Sequence, residues 1–165
     1  MHKEAKEEAI RFSELYLKDA ENLQILDVGS YSVNGSLREV FEKHGNYTGL
    51  DIQEGKNVDI VSPVDNFIFT DNMFDVIVSS SCFEHNIVFW KTFEEMIRVA
   101  KSEALIFINT PSRGGYHGYP LDCWRFYKDA YKALEMSNSG KVELLEQRFN
   151  DKGHWGDNIG IFKVK

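Results

Sequence analysis

Residues 25–36 read ILDVGSYSVNGS. An apolar run meets an acid, then a glycine, then a polar loop. That is a strand feeding a turn whose backbone must come close to something, because glycine has no Cβ to keep a neighbour away. The next strand-like stretch, YTGLD, ends on Asp51, which follows Gly29 by 22 positions. A carboxylate about 20 residues beyond such a turn is placed to accept hydrogen bonds from ribose hydroxyls. Asp27, Gly29 and Asp51 together therefore point to a nucleotide-type ligand. A dinucleotide loop wants glycines at three spaced positions, and Tyr31 and Asn34 stand where the second and third would fall. A side chain at the second position keeps the backbone away from a pyrophosphate. S-adenosylmethionine has no phosphate, and Asp27 with the Gly29–Ser30 backbone offers what its amino-acid end needs.

Working outward, helical and strand-like patterns alternate. Ala5, Ala9, Phe12 and Tyr16 share a helical face, and Phe89, Phe93, Met96, Ile97 and Ala100 share another. A short helix around Leu37, Val40 and Phe41 has Asn34 or Ser36 as its cap. Strands are expected at 24–28, 47–51, 58–61, 74–79 and 104–110, the last stopped by Pro111, and a modest helix at 129–136. Near-continuous apolar strands between helices predict a doubly wound α/β fold, its mostly parallel sheet covered on both faces. Strands 142–149 and 159–164 flank the turn-rich DKGHWGDN with no crossover helix, which predicts an antiparallel hairpin at one edge. Ligands of such sheets bind beyond the strand C-termini, where the strand order reverses.

Length and charge limit the alternatives. A chain of 165 residues fits one domain, 1–165. Within it, 1–22 forms an N-terminal helix, 23–110 the cofactor-binding half, and 111–165 a substrate-side loop and the hairpin. Nineteen basic against 26 acidic side chains give a net charge of −7, a field that repels nucleic acid. No apolar run spans a bilayer and the N-terminus has no apolar leader, so no membrane partner is expected. Cys82 and Cys123 lack metal or redox spacing, which fits a cytoplasmic compartment.

The ordered set ILDVGS, YTGLDI, FDVIVSSSCFEH, FWKTFEEMIRVA and ALIFINTPS resembles class I S-adenosylmethionine-dependent methyltransferases, nearest to the type 11-like small-molecule group. DVGSYSVNGSLR, HGYPLDCWRF and GHWGD strengthen the likeness, which covers residues 23–164. The resemblance implies a seven-stranded sheet ending in the antiparallel hairpin and S-adenosylmethionine as cofactor. It implies that Asp27, Gly29 and Ser30 line the methionine moiety, that Asp51 holds the ribose with Ile52 against adenine, and that the segment 79–81 faces the sulfonium, with Tyr31, Ser80 and Ser81 counted among the cofactor-binding residues. An acid common in the family after the third strand is replaced by Pro63, with Asp65 or Asn66 the substitutes at hand.

Methyl transfer is an in-line displacement, so alignment supplies much of the catalysis, and a base serves only where the acceptor holds its proton. His85 and His117 are the candidate bases. Glu84, Tyr119, Trp124 and Arg125 are candidate contacts to a small-molecule acceptor whose reacting atom is oxygen or nitrogen. Family association extends the acceptor to a sugar or glycan precursor. His85 reads equally well as a residue hydrogen-bonding around the start of the following helix, and Cys82 as structural. His85, His117 and His154 show no ligand spacing, so no metal is expected. A compact domain can also borrow its lid from a second copy, a homodimer. Two other readings compete: a non-catalytic methyltransferase-like binding domain, and an NAD(P)-dependent oxidoreductase with an all-parallel sheet.

Overall fold

The computed structural model describes residues 1–165. Seven strands, β1 (Leu23–Val28), β2 (Gly45–Asp51), β3 (Ile60–Val61), β4 (Phe74–Ser80), β5 (Ala100–Pro111), β6 (Val142–Asn150) and β7 (Asp157–Val164), form one sheet. Their order is β3-β2-β1-β4-β5-β7-β6. The first five are parallel, and β7 runs antiparallel to both β5 and β6. The expected edge hairpin is present, with its second strand inserted between β5 and the first. An all-parallel sheet, the mark of the oxidoreductase reading, is absent.

The period of two along each strand sorts the core into two layers. From β5, Ile106 and Ile108 join one cluster while Phe107 joins the other. From β4, Ile77 goes one way and Val76 and Val78 the other. The helices α1 (Lys3–Phe12) and α2 (Arg38–Phe41) cover the Phe107 face. On the opposite face lie α3 (Phe89–Val99) and α4 (Ala130–Ser137). Helix α1 seats Ala5, Ala9 and Phe12 at the i, i+4, i+7 spacing, and Phe12 stacks on Phe107 with centroids 5.1 Å apart. A π-helical turn over Ser13–Leu17 follows, and Lys18, at φ 41°, reverses the chain toward β1. Neither expected cap takes that position: Leu37 is the N-cap of α2, and the Ser36 hydroxyl one residue ahead accepts the Arg38 N–H at 3.0 Å.

Three of the boundaries that differ from expectation have a visible cause. β3 shrinks to two residues because only Leu50 and Asp51 of β2 pair with it. β5 starts at Ala100, and a register shift between Phe74 and Val76 of β4 absorbs the polar Lys101–Glu103 insert ahead of its apolar run. β7 starts inside the turn-rich stretch, where Asp157 and Asn158 pair across to Pro111 and Thr110. Pro111 thus ends the strand from within; its lost donor is harmless there, and its carbonyl accepts from Phe126.

The strand order reverses between β1 and β4, because the chain leaves β1 toward β2 and returns past it to β4. The loops beyond the C-termini of those two strands meet at this point.

Candidate active site

The loop after β1 is held against the end of β2. The N–H groups of Gly29 and Ser30 both donate to the Leu50 carbonyl, at 2.9 and 3.0 Å. Gly29 sits at φ +83°, and a Cβ there would come within 2.5 Å of the Cys82 Cβ. The glycine therefore lets the loops after β1 and β4 touch. Cys82 fills that contact, and burial pushes its thiol well above the ordinary range, so its role is packing. The Asp51 carboxylate accepts the N–H groups of Tyr31 (3.0 Å) and Ile52 (2.8 Å), tying the glycine loop to β2 and leaving lone pairs free. On the other side, Ser81 adopts φ +55°, uncommon for a residue with a Cβ, while its N–H donates to the Asn109 carbonyl.

These loops wall a cavity of about 500 Å³, within the usual size range of small-molecule sites. Of the expected cofactor residues, Asp27, Gly29, Ser30, Tyr31, Asp51, Ile52, Ser80 and Ser81 line it, as do His85, His117, Glu84 and Tyr119. Three expected residues do not. Asp65 is exposed, because the chain turns after Ser62 so that Val64 and Phe67 face inward; Thr92 fixes that turn by donating to the Val64 carbonyl at 2.6 Å. Trp124 packs its ring against Phe89 and donates its indole N–H to the Asn86 carbonyl. Arg125 grips both oxygens of Asp122, at 2.6 and 2.8 Å. Trp124 and Arg125 hold the loop in shape and stand off the cavity wall.

Burial sets the charges. Asp27 is buried, and its Oδ2 accepts from the Tyr47 hydroxyl, while Oδ1 has no partner. Desolvation raises its carboxyl to about 7, against the lowering effect of the Tyr47 hydrogen bond. Ser30 Oγ is likewise buried and unpartnered on the same wall. Glu84 is 0% exposed with neither oxygen bonded, and desolvation pushes it up to about 8. Native proteins rarely leave such groups orphaned without a functional reason.

The histidines come together through the long loop after β5. The N–H groups of Cys123 and Trp124 both donate to the Glu84 carbonyl, folding that loop onto the β4 loop. His85 and His117 then stand with ring centroids 4.8 Å apart. His85 makes no side-chain bond to the start of the following helix; Asn86 closes the turn ahead of it by accepting the Val88 N–H. Instead His85 Nδ1 lies 2.6 Å from the Leu121 carbonyl, which can only accept, so the proton sits on Nδ1 and Nε2 carries a lone pair. Burial holds the His85 pKa below its usual value and keeps the ring neutral. His117 packs on Trp155 and His85, and His154 meets Trp155 edge-on.

Sequence reasoning named neither His2 nor Trp155, yet both line the cavity. His2 Nε2 meets the Asp157 carboxylate at 2.8 Å, and Asn109 donates to the same carboxylate at 3.0 Å. The GHWGD stretch was the available signal for Trp155. Nothing local to MHKE marks the N-terminus as reaching this rim.

No helix is long and apolar enough to cross a membrane. No curated protein sequence matches the chain. Among solved structures, it resembles Burkholderia thailandensis 1,6-didemethyltoxoflavin-N1-methyltransferase, whose structure holds 1,6-didemethyltoxoflavin and S-adenosylhomocysteine. The two share 12% identity with TM-score 0.77, over 98% of this chain and 78% of that one. An S-adenosylmethionine-dependent methyltransferase from Mesorhizobium loti is 13% identical with TM-score 0.70, over 96% and 97%. A chain of the complex between the Haloferax volcanii Trm112 methyltransferase activator and a putative methyltransferase is 15% identical with TM-score 0.72, over 97% and 88%. Likeness at such identities establishes the fold. The family model described as "Methyltransferase domain" matches residues 26–108, half of the chain, running from β1 through β5, and by that match the protein belongs to the type 11 methyltransferase-domain family.

Proposed function

We propose that the protein is an S-adenosylmethionine-dependent methyltransferase acting on an oxygen or nitrogen of a small molecule, a sugar or glycan precursor being the acceptor class we favour. One observation carries this reading. Asp27 Oδ1 and Ser30 Oγ are buried, unpartnered and on the wall of a cavity at the point where the strand order reverses. A cationic amino acid end is what an orphaned carboxylate and hydroxyl at that wall can accept, so the residues fit the cofactor. When bound, the cofactor supplies an electrophilic methyl group.

The chain's own residues do the rest. Asp27 and Ser30 take the methionine end. Asp51, already fixed by the Tyr31 and Ile52 N–H groups, accepts the ribose hydroxyls through its remaining lone pairs. Ile52 and Val64 offer apolar walls for the adenine. With Pro63 and Asp65 both exposed, no carboxylate follows β3 inside the cavity, and adenine is held mainly by packing. His85 Nε2, neutral and facing Glu84, takes the proton of a hydroxyl or ammonium acceptor. His117 and Tyr119 position that acceptor.

Incubation with methyl-labelled S-adenosylmethionine and a panel of hydroxylated and amino metabolites, nucleotide sugars included, should place label in a small molecule. Asp51→Ala should weaken cofactor binding by roughly tenfold or more, since each lost charge-assisted hydrogen bond is worth about 1.5–3 kcal/mol. Label found only in protein or RNA would overturn the acceptor class, and unchanged binding by Asp51→Ala would overturn the ribose assignment.

A further inference from the structure

The same cavity holds a second arrangement that methyl transfer alone does not require. A carboxylate oxygen of Glu84 and one ring nitrogen from each of His85 and His117 lie within 4.8 Å of one another. Both Glu84 oxygens are completely buried and bonded to nothing, and His85 Nε2 stands 3.7 Å from Oε1, too far for a hydrogen bond. The Nδ1 of His85 is committed to the Leu121 carbonyl, and the Nδ1 of His117 lies 3.3 Å from Asp122 Oδ2. His85 thus has an outer acceptor that fixes its tautomer and leaves Nε2 for a ligand, the arrangement that orients metal-binding histidines. His117 Nδ1 also accepts from Arg125 Nη2 at 3.5 Å, so its Nε2 gives up a proton when an ion binds there. The nearest fixed cation, Arg125, is neutralised by its two bonds to Asp122 and does not occupy the carboxylate.

We propose that Glu84, His85 and His117 form a binding site for a divalent transition-metal ion of the zinc type. Two imidazole nitrogens and one carboxylate oxygen suit a borderline ion better than Mg²⁺ or Ca²⁺. Ligands ~2.1 Å from a tetrahedral ion stand ~3.4 Å apart, so the triad closes by about 1 Å on binding. Three protein ligands leave at least one coordination position open, and the cavity lies beside all three residues. With the ion bound, His85 Nε2 is no longer a base; an acceptor oxygen is held and acidified by the ion, and its proton passes to solvent. That role rests on the methyl-transfer reading above, whereas binding of the ion does not.

Tag-free protein, freed of metal with a chelator, should be titrated calorimetrically with Zn²⁺ in the absence of any cofactor. One equivalent is expected to bind, with Mg²⁺ far weaker. Glu84→Gln and His117→Ala should each reduce zinc affinity by roughly tenfold or more, and His154→Ala should leave it unchanged. A urea midpoint at or above that of the parent protein shows that Glu84→Gln has folded. Absence of saturable binding, or binding that survives Glu84→Gln but is lost in His154→Ala, would overturn the site. Zinc binding without S-adenosylhomocysteine binding would keep the cation site and sink methyl transfer; the reverse result would do the opposite.

Discussion

An Asp27→Asn variant is expected to lose S-adenosylhomocysteine binding and to become more stable at pH 8. Both effects come from one buried carboxyl. In the free protein, desolvation raises it to about 7 from an ordinary 3.8. Between those values the folded state binds a proton that the unfolded state has released. The stability present below pH 3.8 is therefore lost progressively as pH rises to about 7, at 1.36 kcal/mol per pH unit. At pH 8 the buried charge costs on the order of 2–4 kcal/mol, and the neutral amide removes that cost while still accepting from Tyr47. At pH 4 the two proteins should be equally stable. The ligand tells the opposite story, since a buried carboxylate facing an ammonium loses about 3 kcal/mol or more when its charge is removed. Affinity at pH 8 should fall on the order of 100-fold. Parallel urea melts at the two pH values and a calorimetric titration check both halves. A stability gain at pH 4 equal to that at pH 8 would contradict the assignment.

Gly29→Ala should be the most damaging small substitution in the site. The left-handed φ of +83° costs an alanine about 1–2 kcal/mol. The new Cβ would also meet Cys82 at 2.5 Å (Cβ) and 2.6 Å (Sγ), and relief requires parting the β1 and β4 loops. Overpacking of this kind costs roughly 1–3 kcal/mol. The sum, about 2–5 kcal/mol, lowers the thermal midpoint by roughly 5–15 °C for a chain of this size. Adding Cys82→Gly removes the collision and leaves the backbone strain, so the double variant should recover only part of the loss. A Gly29→Ala protein within about 0.5 kcal/mol of the parent would mean that the two loops are not in contact as described.

The sequence revealed most where the physics is local. β1, β4 and β5 are buried on both faces, so they appear as apolar runs, and Asp51 is found by its distance from Gly29 because strand and crossover lengths are narrowly bounded. Tyr31 and Asn34 argue against a pyrophosphate site, and the antiparallel β7 departs from the all-parallel sheet of the oxidoreductase reading. What escaped depends on long-range folding. Nothing in the spacing of Glu84, His85 and His117 foretells that the Cys123 and Trp124 N–H groups fold one loop onto the other through a single carbonyl. For the same reason Trp124 and Arg125, chemically plausible as acceptor contacts, turn out to hold that loop in place. Asp65 failed because Thr92 captures the Val64 carbonyl and turns the side chain outward.

The central claim is that the cavity beside Asp27 and Asp51 takes a sulfur-linked nucleoside amino acid and not a dinucleotide. Its most direct test is calorimetric titration of the metal-free protein at pH 8 with S-adenosylhomocysteine and, separately, with NAD. One equivalent of S-adenosylhomocysteine should bind, stabilising the fold by ~2.7 kcal/mol when present at a hundred times its dissociation constant, and NAD should give no saturable heat. Binding of NAD alone, or of neither ligand at millimolar concentration, would contradict the account.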